Sequence, residues 1–355
     1  MRLELVPRGD VSPWARALAP VAAVVAAILI GGLVVALMGR SPLAAFQVYF
    51  VDTLSEDWGL QEMAVKATPL LIIAVGLSFC FRASLWNIGA EGQFIIGALV
   101  GGILPLYTAG TEAGAWVIPA AMVLGALGGL AYAMIPALLR VAFGVSEILT
   151  SLMLVYVADL TLDYLVRGPW KDPKGFNFPQ TVNFDATLPY LAEGGRLHAG
   201  VLVGPALALL AWFVISRTLF GFGVRVAGEA PKAARFAGFS ANRMVIAAFA
   251  ISGAAAGLAG IVEVLGQIGQ LKPGISSGYG FTAITVAFLG RLHPLGIIFG
   301  ALVVALTVIG GESAQIALKL PLDLTRAFQG VLLMCVLAAD ALVSYRVRLV
   351  TVARA

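Results

Sequence analysis

Between Ala17 and Met38 the chain runs for 22 residues without a charged side chain, and runs of this kind recur along its length. At 1.5 Å per residue, a helix of that length crosses the roughly 30 Å hydrocarbon core of a bilayer. Arg2, Arg8 and Arg16 precede the run as the basic residues of a secretion signal would. The run nevertheless exceeds the roughly 7–15 residues of a cleavable signal and reads as a spanning helix. Further uncharged runs occupy 67–81, 92–111, 113–139, 199–216, 244–262, 273–290 and 294–311. Two more apolar stretches carry charge: about 146–166, with Asp159 and Asp163, and about 322–344, with Arg326 and Asp340. Only 12% of residues are charged, about half the usual soluble share, and mean hydropathy is +0.95. A soluble enzyme, a nucleic-acid binder and a disordered chain are thereby excluded, and membrane lipid is the solvent this chain requires.

The expected fold is therefore an all-α polytopic membrane protein of about ten transmembrane helices, forming a single transmembrane domain over 1–355. Cytoplasmic loops collect Lys and Arg. With the N-terminus inside, the inward joints hold Arg82, Arg140, the set Arg217, Arg225, Lys232, Arg235 and Arg243, then Arg291 and the C-terminal Arg346, Arg348 and Arg354. The outward segment 39–63 instead gathers Asp52, Glu56, Asp57 and Glu62 against Arg40. Both termini are expected in the cytoplasm, and ten crossings preserve that parity only if 273–290 crosses despite Pro273, Gly274, Gly278 and Gly280. Ten spans divide into halves at about 17–166 and 198–345, joined by an outer segment 167–197. An odd count per half gives an inverted repeat. The third span of each half is the interrupted one: Asn87-Ile-Gly-Ala-Glu-Gly-Gln93 in the first and Ser277-Gly-Tyr-Gly-Phe-Thr282 in the second. Unusual segments at matching positions point to a site near the midplane, although glycines also serve close helix packing.

Charge buried in a bilayer is costly, which makes Glu91 a candidate. Beside Asn87 and Gln93 it offers hydrogen bonds to a polyhydroxylated or heteroaromatic ligand, or else it caps a half-helix N-terminus. Tyr279 and Phe281, followed by Thr282, offer ring faces to a base or sugar, or pack the bundle. The expected solute path lies between the two segments. Glu147 begins the fifth span on the inside. Asp159 and Asp163 lie toward the outer vestibule, and Glu263 and Glu312 end their spans at the outer surface, where a charge is solvated. His198 and His293 sit at opposite membrane faces and form neither a metal cluster nor a proton relay. Cys80 and Cys335, each in an apolar run, behave as small hydrophobes. No catalytic constellation can be assembled at one depth, and no metal or cofactor is called for. A phosphate loop needs a lysine after glycine, and none of Lys66, Lys171, Lys174, Lys232, Lys272 and Lys319 has one. Power for transport must come from a partner or from an ion gradient.

The longest inward loop, 217–243, contains Gly228-Glu-Ala-Pro-Lys-Ala-Ala-Arg-Phe-Ala-Gly238. Pro231 suits a first helical position, Ala233 and Ala234 favour helix, and Gly238 suits a C-terminal stop, so a two-turn surface helix is expected.

Phe81-Arg-Ala-Ser-Leu-Trp-Asn-Ile-Gly-Ala-Glu-Gly-Gln93, Gly144-Val-Ser-Glu-Ile-Leu-Thr150, the loop Gly228 to Gly238, Gly278-Tyr-Gly-Phe-Thr282 and Gly290-Arg-Leu-His-Pro-Leu-Gly296 together resemble bacterial ABC importer permeases. The branch resembled handles nucleosides and simple sugars and is related to the branched-chain amino acid permeases. The likeness covers about 65–345. It implies that 229–240 is a coupling helix seated in an ATPase groove, with Glu229, Pro231, Ala234, Arg235 and Gly238 forming the contact. It also implies an ABC ATPase subunit, a second permease subunit and a periplasmic or lipid-anchored binding protein as partners, in the bacterial cytoplasmic membrane. The long outward segment Arg167 to Arg196 resembles the longer of two permeases, so the second is expected to be a distinct, shorter homologue. Ser146 stands where relatives commonly show Asn, and that position is given no role. A gradient-driven secondary carrier is the alternative, and Glu91 is the carboxylate placed to serve it.

Overall fold

The computed structural model describes residues 2–7, 12–111, 114–191 and 195–350. Arg8 and Arg354, invoked above for the signal and for orientation, lie outside them. A short strand β1 (Arg2–Pro7) leads into α1 (Pro13–Leu37), then α2 (Pro42–Phe46), a π-turn at Gln47–Asp52 and α3 (Thr53–Ser55). Four long helices follow: α4 (Asp57–Arg82), α5 (Ala90–Thr108), α6 (Val117–Phe143) and α7 (Glu147–Arg167). Next come α8 (Val203–Arg217), α9 (Leu219–Glu229), α10 (Pro231–Phe236) and α11 (Ala241–Glu263), which continues as a π-turn over Val264–Ile268. The chain ends with α12 (Tyr279–Leu289), α13 (Pro294–Leu318), α14 (Leu322–Ser344) and β2 (Tyr345–Val350).

Among the described residues, nine helices are long and apolar enough to cross a membrane, and α12 is a shorter apolar tenth. All ten expected spans thus have a helix. At 11 residues α12 rises about 16 Å, half the hydrocarbon thickness. Gly269, Gly274 and Gly278 all take positive φ on the way to its start, a backbone sequence that excludes helix until Tyr279.

The chain forms two compact units. One comprises Met1–Gly59 and Leu306–Ala355, with α1 packed on α14. Tyr49 is buried there, and its hydroxyl lies 3.0 Å from Thr325 Oγ1. In this unit β1 and β2 pair antiparallel, Arg2 opposite Val350 and Pro7 opposite Tyr345. Residues of α1 from Ile28 to Ala36, with Phe46, Tyr49, Leu324 and Phe328 among others, line an open apolar groove of about 650 Å³ in the same unit.

The other unit, Leu60–Ala305, is organised around α5, α6 and α11. Each carries glycines four apart: Gly97 and Gly101, Gly125 and Gly129, Gly253 and Gly257. A Cβ on Gly129 would lie 2.6 Å from Gly257 Cα, and one on Gly97 would overlap that same atom. The three backbones are therefore in direct contact, as small residues permit between helices in lipid, where apolar burial gives no net drive.

Two carboxylates depart from expectation. Glu263 is buried rather than solvated at a span end, because the π-turn carries the helix five residues past it. Glu312 lies inside α13, which runs on to Leu318.

Candidate substrate path and coupling surface

The first interruption follows α4. Ser84 has φ +55°, and the chain then runs to Asn87, which is fully buried. Asn87 Nδ2 donates to Gln93 Oε1 at 2.8 Å and to Ser252 Oγ at 2.9 Å. Its Oδ1 accepts from Gln93 Nε2 at 3.0 Å and from the Gly89 amide at 3.2 Å. Both amide hydrogens and both lone pairs are engaged, so Asn87 holds the broken segment to α11 and to the first turn of α5.

Glu91 in that first turn is 6% exposed. Its Oε1 accepts from the Gly278 amide at 3.1 Å and its Oε2 from the Gly280 amide at 2.6 Å. These are unpaired donors at the N-terminus of α12, where a negative charge also meets the positive end of the helix dipole. The two interrupted segments are thus joined directly, α12 by its backbone and α5 by its carboxylate. The Tyr279 hydroxyl donates to Glu263 Oε1 at 3.2 Å, and its ring lies 5.8 Å from that of Phe94. Phe281 is 40% exposed, and Thr282 is partly exposed one residue on. Glu263 and Ser252 complete this polar frame, and sequence marks neither as part of it. Glu263 was assigned to solvent, and a serine in a glycine- and alanine-rich helix gives no signal.

Around the break, further ties converge. Glu147 is buried, forms an ion pair with Arg140 and accepts from the Trp86 amide at 3.4 Å. Ser146 precedes α7 without a side-chain cap bond. Asp163 is bound by Arg167 Nε at 2.7 and 2.8 Å, and Asp159 is exposed.

The 217–243 segment folds as expected from its punctuation. Pro231 opens α10, and Gly238 takes φ +84°. The Phe239 amide donates to Ala234 O at 2.9 Å and the Gly238 amide to Arg235 O at 3.1 Å, the paired bonds of a Schellman stop. Ala234 is buried beneath the helix, whereas Glu229, Pro231, Lys232 and Arg235 are exposed. Phe236 at the tip is 95% exposed and was missed, although an apolar residue in a basic loop is its own signal.

Within the 167–197 segment, the Thr181, Phe184 and Leu188 amides donate to Leu271, Gly269 and Leu265 carbonyls, laying that strand along the end of α11. His198 follows, 1% exposed, with neither ring nitrogen bonded among the described residues. Its ring abuts Gly266, and burial lowers its pKa to about 4.

A family model described as branched-chain amino acid transport system / permease component matches residues 59–337. The chain belongs to this permease family. The permease is 35% identical to the glucose ABC transporter permease protein TsgB13 of Haloferax volcanii, an alignment covering 98% of this chain and 94% of that one. It is 27% identical to the guanosine ABC transporter permease protein NupP of Bacillus subtilis over 92% of this chain and 94% of that one. To the nucleoside ABC transporter permease protein NupB of Lactococcus lactis it is 26% identical over 81% of each. No solved structure matches the permease. Family membership and the nine candidate spans make it a multi-pass protein of the cytoplasmic membrane and a transport component.

Proposed function

We propose that this permease is the membrane subunit of an ATP-driven importer that takes up simple sugars or nucleosides delivered by an extracytoplasmic binding protein. The observation that carries the reading is α10. It is a short helix with a fixed start at Pro231, a fixed stop at Gly238 and an almost fully exposed Phe236 at its tip. A six-residue helix is not stable alone and gains by packing on a partner. An exposed aromatic flanked by Lys232 and Arg235 has the character of an interface anchor. Seated in an ATPase subunit, α10 is the coupling helix, which makes 217–243 cytoplasmic and, with 273–290 taken as a full crossing, both termini cytoplasmic as well.

In this reading the halves 17–166 and 198–345 are inverted repeats, and 167–197 faces the binding protein. The permease supplies no ATPase site, since no lysine follows a glycine. A second permease, a distinct and shorter homologue, completes the membrane portion. The solute path runs beside the junction of the two interrupted segments: Asn87 and Gln93 tie the break to α11, Glu91 fixes α12, buried Tyr279 braces it through Glu263, and Phe281 and Thr282 present ring and hydroxyl. Sugars and nucleosides share a hydroxyl-bearing ring suited to such a wall, and the named relatives carry one or the other. A gradient-driven carrier is less well supported, because both Glu91 oxygens are held by backbone amides rather than left to exchange a proton.

The test is co-purification of the permease with its ATPase, followed by uptake of labelled glucose and guanosine. A wild-type assembly that forms and transports, and a Gly238→Val variant that inserts but loses the ATPase, are expected. Retention of the ATPase by that variant would make α10 an ordinary loop.

A further inference from the structure

Resting on that reading, the structure contains a link between the coupling helix and α12 that neither sequence nor relatives assign. Gly228, at the end of α9, lies so close to the Arg82 carbonyl that a Cβ there would overlap it. The Ser84 hydroxyl donates to Gly228 O at 3.1 Å. Val224 of α9 is buried against Cys80, Ala83 and Leu85 of the same turn. The base of the coupling segment is therefore seated on residues 80–85.

The same turn grips the far end of α12. Arg82 Nε donates to Leu292 O at 3.0 Å. The Phe288 ring stacks on Phe81 at 5.1 Å and on Trp86 at 5.9 Å. α12 is thus held at both ends, by Glu91 at its start and by the Arg82 turn at its finish.

The backbone at this junction is strained. Ser84, Arg291 and Leu292 take φ of +55°, +53° and +57°, a region that non-glycine residues seldom occupy. Two of the three are consecutive, and none is the Asn or Asp that tolerates it best. Glycine would relieve each position at once, so the strain marks places where the surroundings dictate the backbone, as at sites that switch.

We propose that Arg82 and Ser84 are positioning residues, forming the joint through which displacement of α9 and α10 is passed to α12, and so to the path lined by Phe281 and Thr282. The lever is short and stiff: α12 has 11 residues, and Gly228 bears on backbone rather than on a flexible side chain. A shift of the coupling helix reaches Arg82 through contact and reaches Leu292 through one hydrogen bond.

The test uses the complete transporter in proteoliposomes, with labelled glucose and guanosine as probes, and reads uptake per ATP hydrolysed together with thermal stability. Ser84→Gly removes the bond to Gly228 while relieving the left-handed strain. It is expected to leave stability equal or raised while uptake per ATP falls about fivefold, the worth of one hydrogen bond. Ser84→Asn, which tolerates the conformation and restores a donor, is expected to recover the ratio to within about twofold. Arg82→Lys keeps the charge but loses Nε, and it is expected to uncouple as Ser84→Gly does. A Ser84→Gly transporter with the wild-type ratio overturns the proposal, as does one whose stability, ATPase rate and uptake all fall in parallel. A wild-type chain that never associates with an ATPase overturns the importer reading instead, and the joint with it.

Discussion

Glu91 Oε2 accepts from the Gly280 amide at 2.6 Å across 189 residues of sequence, joining the first turn of one interrupted helix to the first turn of the other. The contact is close on both sides: a Cβ on Gly280 would lie 2.6 Å from Glu91 Cα. A carboxylate shared by two otherwise unpaired amides is a strong, charge-assisted cap. Through it the N-terminus of α12 is fixed by α5 together with Ser276, whose Oγ accepts from the Tyr279 amide at 3.4 Å, the backbone between them being left-handed at Gly278.

Glu91→Gln keeps the shape but turns one acceptor into a donor facing an amide. The expected cost is about 1.5–3 kcal/mol at the α12 start. Uptake should fall at least about tenfold while insertion and ATPase association persist. Uptake measured beside co-purification checks this.

Gly129→Leu and Gly97→Val force side chains into backbone of α11. Overpacking of this kind costs about 1–3 kcal/mol or more. A lower thermal midpoint in detergent is expected for both, and none for Gly330→Ala in α14, where no neighbouring atom would meet a Cβ.

Much of this was legible beforehand because lipid imposes long charge-free runs, and because proline and glycine punctuate α10 at Pro231 and Gly238. What escaped has physical causes. α4 begins at Asp57, ten residues before its uncharged run, since Glu62 is paired by Arg196 at 3.5 Å and its charge therefore does not end the helix. The π-turn beyond Glu263 inverted a reading based on charge alone. The β1–β2 ribbon pairs segments at the two ends of the chain, too far apart for local pattern to reveal. Capping of a half-helix by Glu91 could be read from sequence, but which half-helix could not, because only the fold brings Gly278 and Gly280 to it.

Phe236→Ala removes the most exposed aromatic of α10 without disturbing its Schellman stop. Loss of an aromatic interface anchor is expected to weaken ATPase association by about 2 kcal/mol, roughly thirtyfold. Titration of purified ATPase onto the permease reads this directly.

Burial lowers the His198 pKa from 6.5 to about 4. The unfolded chain therefore takes up a proton before the folded one does, and stability is complete above about pH 6.5 and is lost as pH falls toward 4. At pH 5 the loss is about 2 kcal/mol. The thermal midpoint should drop between pH 7.5 and pH 5, and His198→Leu should flatten that dependence.

The most direct test of the whole account is solute entry into proteoliposomes holding this permease, its partner permease and its ATPase, supplied with loaded binding protein. The account predicts that uptake of sugar or nucleoside requires ATP hydrolysis, continues when ionophores collapse all ion gradients, and stops when the ATPase is omitted. Uptake by this chain without the ATPase, driven by an imposed gradient and abolished by ionophores, would contradict it.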